Sequence, residues 1–274
     1  MFEQPFIRLA LIASAATGAA LSIMGTYLVI RRVVFMGLVL ASAATVGAAG
    51  AQIFHWPPEL GSITASVATA LGLGALQTPR RISAESVMGW AYAAASAATV
   101  LILAGTPGAD MDALHLLYGN LLAVSFSHAL GLLILALVIG LVHILFGQRF
   151  LLVTFDPEAA RVAGVNTTLW SLSMSLLIGI ATAAAVHEIG ALLTFSLLTL
   201  APTASLLAMR SIRSTFGMSA ILGVVLACSG VVVSFYLDLP PGPTSVALLA
   251  VSVPFAALAG RRRDGMNKLS NNSD

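Results

Sequence analysis

The chain has 274 residues, of which 58% are hydrophobic and only 9% charged, with a mean hydropathy of +0.98, a formal net charge of +2 and a pI near 9.0. Soluble domains carry about 25% charged residues, so this composition excludes an ordinary water-soluble domain and reads as an integral membrane protein. The basic pI does not indicate nucleic acid, because the arginines lie in scattered pairs between apolar runs; the single cysteine, Cys228, rules out an intrachain disulfide framework and argues against a cysteine-based metal site.

Crossing about 30 Å of hydrocarbon takes about 20 apolar residues. In chain order such runs occupy residues 9–30, 35–54, 61–77, 87–105, 126–146, 167–186, 189–209, 215–237 and 244–260. The expected fold is an all-α polytopic bundle of about nine transmembrane helices, or about eight if the third run is discounted. That run is short, rich in Gly and Ala, and interrupted by Ser62, Thr64, Ser66 and Thr69. The first run contains "SAATGAA", small residues that mimic a signal-peptidase site, but no net positive charge precedes it and Arg31 and Arg32 follow it. Pro202 and Pro254 fall inside the seventh and ninth runs, where a kink is tolerated if neighbours satisfy the freed carbonyls. Residues 1–263 read as one transmembrane domain and 264–274 as a disordered polar tail.

Lys and Arg in short loops report orientation. Arg31 and Arg32, Arg80 and Arg81, Arg149 and Arg161, Arg210 and Arg213, and Arg261, Arg262, Arg263 and Lys268 fall on alternate loops, leaving only Arg8 on the other side. The expectation is an external N-terminus and a cytoplasmic C-terminus, with residues 147–166 cytoplasmic. Within them lies "TFDPEAARVAGVN", residues 154–166. Asp156 can cap a helix, Pro157 suits its first position and Gly164 its left-handed stop. A helix of about two turns is too short to stand alone in water and requires a packing partner.

Several chemistries are missing. Lys268 is the only lysine, so no GxxxxGK[ST] phosphate loop exists, and ATP, if it is used, binds to another chain. "HEIGA" at 187–191 lacks the second histidine of a zinc protease. The serines in the apolar runs suit helix packing, and no nucleophile is paired with a base. His55, Glu59, Asp110, Asp112, His115, His187, Glu188 and Asp238 all fall near the external mouths of the runs. Their imidazole and carboxylate donors suit Zn, Mn or Fe, although solvated loop residues would look the same. Asp112 and His115 would share a helix face, whereas Pro57 and Pro58 disfavour a regular turn between His55 and Glu59. His128 and His143, inside the fifth run, read as satisfied by helix neighbours.

"EAARVAG", residues 158–164, resembles the E-A-A-x-x-x-G signature in the cytoplasmic coupling loop of binding-protein-dependent ABC importer permeases. Further stretches are similar, in order, to the metal-type ABC-3 permeases that import manganese, zinc and iron: "GTYLVIRRVVF" at 25–35, "LLYGNLLAVS" at 116–125 with Asn120 where the family has Asp, "IGALLTFSLLTLAPTASLLAMR" at 189–210, and "DLPPGPTSV" at 238–246. The resemblance implies a multi-pass bacterial inner-membrane subunit that is not itself an enzyme and has no covalently bound cofactor. It also implies a second permease copy, a separate ATP-binding ATPase subunit, an extracytoplasmic solute-binding protein and a transported divalent metal.

Asp156, Pro157, Glu158, Ala159, Ala160 and Gly164 would then form the ATPase-coupling element. The family's second span carries D-x-x-x-H, two metal ligands on one helix face; Gly37 and Ala41 occupy those positions here and can ligate nothing. His187, Glu188, Asp112, His115, His55 and Glu59 are the donors that could compensate. Alternatively the cargo is a metal chelate or another small solute. A secondary transporter or channel would call for intramembrane acids, and the apolar runs hold almost none.

Overall fold

The computed structural model describes residues 5–75, 82–105, 119 and 121–271. Nine α-helices are present among them: α1 (Pro5–Ile30), α2 (Phe35–Ile53), α3 (Pro58–Ala75), α4 (Ala84–Ala104), α5 (Phe126–Phe155), α6 (Pro157–Val162), α7 (Thr167–Ala208), α8 (Ile212–Leu237) and α9 (Pro241–Asn271), with one 3-10 turn at Leu121–Ala123. Seven of the helices are long and apolar enough to cross a membrane. The remaining apolar runs are accounted for by α3, which is shorter and more polar, and by α7, which contains two of them. Arg80, Arg81, Asp110, Asp112 and His115 lie outside the described residues.

In α7 the runs 167–186 and 189–209 join with no loop between them. Ser171 accepts a hydrogen bond from Arg31, just past the end of α1, while His187, about 24 Å further along the helix, meets Glu59 at the start of α3. A straight continuation would carry Leu197 still further away. Instead the Leu197 carbonyl accepts from Ser22, and Leu198 packs on Gly25 and Gly37, all back toward the Arg31 end. The reversal is made at Gly190, whose φ of 81° and ψ of 161° lie where side-chain-bearing residues are strained. Pro202, in the returning arm, leaves the helix unbroken.

The fifth run also extends further than its hydrophobicity indicates, because α5 continues through residues 147–155 to Phe155. The spacing of Gly147, Phe150 and Val153, all buried, places one stripe of that extension against the bundle. Phe150 meets Tyr27 and Trp170 edge-on, and Arg149 lies 5.3 Å from the Trp170 ring centre. This part of α5 reads as loop only if the arginine is taken as a boundary.

With lipid as apolar as leucine, small residues and hydrogen bonds hold helices together. On α1 and α8, Gly18 and Gly223 face each other so closely that a Cβ on either would collide with the other's backbone, and Ser219 donates to the Ser22 carbonyl at 3.0 Å. Gly47 of α2 and Gly61 of α3 form a second reciprocal contact. The serines of the third run belong to the same category: Ser62 donates to the Ala44 carbonyl and Ser66 to the Gly179 carbonyl, each at 3.0 Å. α1 and α7 thereby become the central helices, and the outward face of α5, with Leu137, Leu141, Ile144 and Leu145 exposed, suits lipid.

Candidate functional site

Two groups of residues stand out, at opposite ends of the bundle. The first is α6. Asp156 Oδ1 accepts the Ala159 N–H at 2.8 Å, Pro157 opens the helix, and Glu158 lies in its first turn. At the other end Gly164 takes φ 76°, the Val165 N–H bonds the Ala160 carbonyl at 2.9 Å and the Gly164 N–H bonds the Arg161 carbonyl at 3.0 Å. These paired bonds are a Schellman cap. Both helix ends therefore close as their residue types predict.

Only one side chain of α6 is sunk into the protein. Ala160 is fully buried, while Pro157, Glu158, Ala159 and Arg161 are exposed and Val162 is 91% exposed. Below it, Arg31 Nε donates to Thr154 Oγ1 and Nη1 to Ser171 Oγ, both at 3.2 Å. One guanidinium thus joins the end of α1, the end of α5 and the start of α7, the two helices that flank α6. Burial pulls the Arg31 guanidinium below its ordinary pKa, and it remains a cation at any physiological pH.

The second group is built from α3, α5 and the Gly190 bend of α7. His128 sits in the first turn of α5, whose cap is Ser125; its Nδ1 is 2.6 Å from Glu188 Oε1. His187 Nε2 is 3.3 Å from Glu59 Oε1, and the two imidazole centres are 6.2 Å apart at an interplanar angle of 67°. All four side chains line one cavity of about 150 Å³, with Ile63 and Leu132 among its apolar walls. Glu188 is only 11% exposed, so its charge needs the histidine beside it. As they stand, the donors form two pairs, and among the described residues no three His, Cys, Asp or Glu groups converge as ligands of one ion.

The structure thus brings together His187, Glu188 and Glu59 from the sequence-predicted donors and adds His128, whose position inside an apolar run had marked it as a packing residue. The signal for His128 was the "SFSH" start of that run: a serine cap puts the histidine in the first turn, at the helix mouth. His143 does behave as a packing residue, sharing a 2.7 Å hydrogen bond with the Tyr27 hydroxyl. His55 lies in the exposed turn between α2 and α3 and does not line the cavity. Gly37 packs on Leu198 and Leu28, and Ala41 is fully buried, so the second helix presents no ligand at either position.

An all-helical bundle with seven helices long and apolar enough to cross a membrane, held by glycine-mediated contacts, is the architecture of a polytopic membrane protein. The chain belongs to the ABC 3 transport family, whose profile matches residues 3–260. It is 28% identical over 250 residues to the manganese transport system membrane protein MntC of Halalkalibacterium halodurans, covering 91% of this chain and 85% of that one. It is 26% identical to the chelated iron transport system membrane protein YfeD of Yersinia pestis, covering 91% and 84%. Its fold is that of a chain of PsaBC from Streptococcus pneumoniae solved in complex with Fab, with a TM-score of 0.83 at 20% identity and 94% of each chain covered. The protein is a multi-pass cell-membrane transport subunit of the metal-type ABC permease family, and its relatives are permeases rather than enzymes.

Proposed function

We propose that this chain is the membrane-spanning subunit of an importer for a divalent metal ion, with manganese, zinc and iron as the candidate cargoes. A solute-binding protein delivers the ion from outside, and two permease copies enclose the path. A separate ATPase subunit supplies the energy, since the chain has no phosphate loop. In this reading the N-terminus is external and the C-terminus cytoplasmic, following the arginine distribution.

The observation that carries the reading is α6. Both its ends are capped, one alanine anchors it, and the rest, including the apolar Val162, faces away from the bundle. A six-residue helix is marginal by itself, so this geometry supports a surface on which a partner seats. Its attachment to the ends of α5 and α7 would turn closure of an ATPase dimer into rocking of those helices, a rigid-body route to alternating access.

Co-purification of the permease with its cognate ATPase subunit tests the proposal. Glu158→Arg combined with Gly164→Leu should abolish ATPase capture while leaving the permease folded. Unchanged capture would remove α6 as the docking element and with it the main support for this function.

A further inference from the structure

We propose that His128 and His187 form a transit site for a borderline divalent cation, each ligating through the ring nitrogen that its carboxylate partner leaves free. The inference rests on the importer reading above and supplies a ligand site within it that does not use the second helix.

Consider each pair separately. Glu188 Oε1 lies 2.6 Å from His128 Nδ1, so that nitrogen carries the proton and donates it to the carboxylate, leaving the Nε2 lone pair unused. Glu59 Oε1 lies 3.3 Å from His187 Nε2, which leaves Nδ1 as the free nitrogen of the second ring. His187 Nδ1 is shut off from solvent and has no hydrogen-bond partner. A buried polar atom left unsatisfied is costly and calls for an explanation. A carboxylate that orients one imidazole nitrogen while the other is kept for a ligand is the recurrent support of metal-bound histidine.

The separation of the rings is compatible with one ion. With a Zn–N distance of about 2.0–2.1 Å, two ligating imidazoles have centres about 5 Å apart at a tetrahedral angle and just over 6 Å apart when opposed. The observed 6.2 Å lies at the open end of that span. The cavity that both side chains line, of about 150 Å³, has room for an ion together with waters once the His187 ring turns its Nδ1 out of the packed wall. Two protein nitrogens completed by water make an incomplete set, which suits a site that must release its cargo; the absence of a third protein donor is then a property of transit rather than storage. Position agrees as well: the cluster lies at the Gly190 bend, about 24 Å along α7 from the Arg31 end. Two imidazoles favour Zn or Co over Mn, which prefers oxygen donors.

The test uses the full-length chain purified in detergent, with no ATPase present, titrated with Co²⁺ and followed by visible absorbance, then with Zn²⁺ as competitor. The expected result is one Co²⁺ per chain, displaced by Zn²⁺ and only weakly by Mn²⁺. His128→Ala and His187→Ala should each weaken binding at least 10-fold, and Glu188→Gln and Glu59→Gln 10- to 100-fold, the range for support residues. Wild-type protein that binds no Co²⁺, or a His128→Ala/His187→Ala double variant that binds as wild type does, overturns the proposal. If a variant misfolds, diethyl pyrocarbonate labelling of the wild type decides: Zn²⁺ should protect His128 and His187, and equal labelling with and without Zn²⁺ refutes the site. ATPase capture is measured in parallel. Cobalt binding without capture would sink the importer reading and keep the site, whereas capture without cobalt binding would do the reverse.

Discussion

The carbonyl of Leu198 packs on Gly25 so closely that a Cβ on Gly25 would collide with its oxygen. The reason is four residues further on, where Pro202 has no N–H to return to that carbonyl. A carbonyl deprived of its helical partner inside a membrane bundle is costly to cover with apolar side chains, and the bare face of a glycine lets α1 close over it instead. The Pro and the Gly, 177 positions apart by their numbering, thus form one packing device between the two central helices.

Gly25→Ala should therefore destabilise the protein. The added methyl meets backbone, which cannot swing aside, and overpacking of this kind costs about 1–3 kcal/mol or more. The expected outcome is a melting temperature several degrees below wild type in detergent. Gly50→Ala is the control, because a Cβ there meets nothing within 4 Å. Equal melting of the two variants would show that α1 and α7 are not packed this closely.

Arg31 should separate transport from ATP hydrolysis. Its bonds to Thr154 and Ser171 tie the end of α1 to the helices on either side of α6. Arg31→Met keeps much of the length and loses both bonds. ATPase capture should persist, since α6 itself is untouched, while metal uptake per ATP hydrolysed falls several-fold. An unchanged uptake-to-hydrolysis ratio in reconstituted vesicles would remove Arg31 from the path of motion.

The caps of α6 offer a graded version of the docking test. Asp156→Ala removes the bond to the Ala159 N–H and costs about 1 kcal/mol of helix stability. Gly164→Ala clashes with nothing but must hold φ near 76°, at about 1–2 kcal/mol. Both costs fall on an exposed helix with few tertiary contacts, so the global melting temperature should barely move. ATPase affinity should drop about 5- to 30-fold, which corresponds to about 1–2 kcal/mol. Wild-type affinity in both variants would mean that a preformed helix is not what the partner reads.

Much of this was legible from residue types alone. Each apolar run is helical over most of its described residues, and the Asp-Pro start and Gly stop of α6 form the caps that local chemistry dictates. What stayed hidden depended on direction and depth. The reversal between the runs 167–186 and 189–209 could be read from the polar pair His187 and Glu188 that parts them, but not that it is made at the single residue Gly190 with no loop between the two arms. Hydropathy took the fifth run to end at Phe146, although the buried stripe of Gly147, Phe150 and Val153 continues α5. The ligand cluster was half legible. His187, Glu188 and Glu59 could be grouped by their nearness to helix mouths, but pairing His128 with Glu188 required knowing that α5 starts beside the bend, 60 positions away by their numbering.

Gly190 provides the most direct test of the fold. Its φ of 81° and ψ of 161° belong to a region that is essentially glycine-only, and a side chain there costs of order 1–3 kcal/mol from backbone strain alone. The surroundings add to that figure, because the Gly119 backbone packs directly on the Ile189–Gly190 peptide and leaves no room for the bend to relax. Gly190→Ala should therefore lower the melting temperature more than Gly217→Ala, where a Cβ meets nothing within 4 Å. It should also pull His187 and Glu188 out of register with Glu59 and His128, weakening Co²⁺ binding without touching a ligand. If residues 167–208 formed a single straight helix, Gly190→Ala would instead stabilise the chain by about 1 kcal/mol, as a Gly-to-Ala change does in a helix interior. The sign of the melting shift distinguishes the two arrangements.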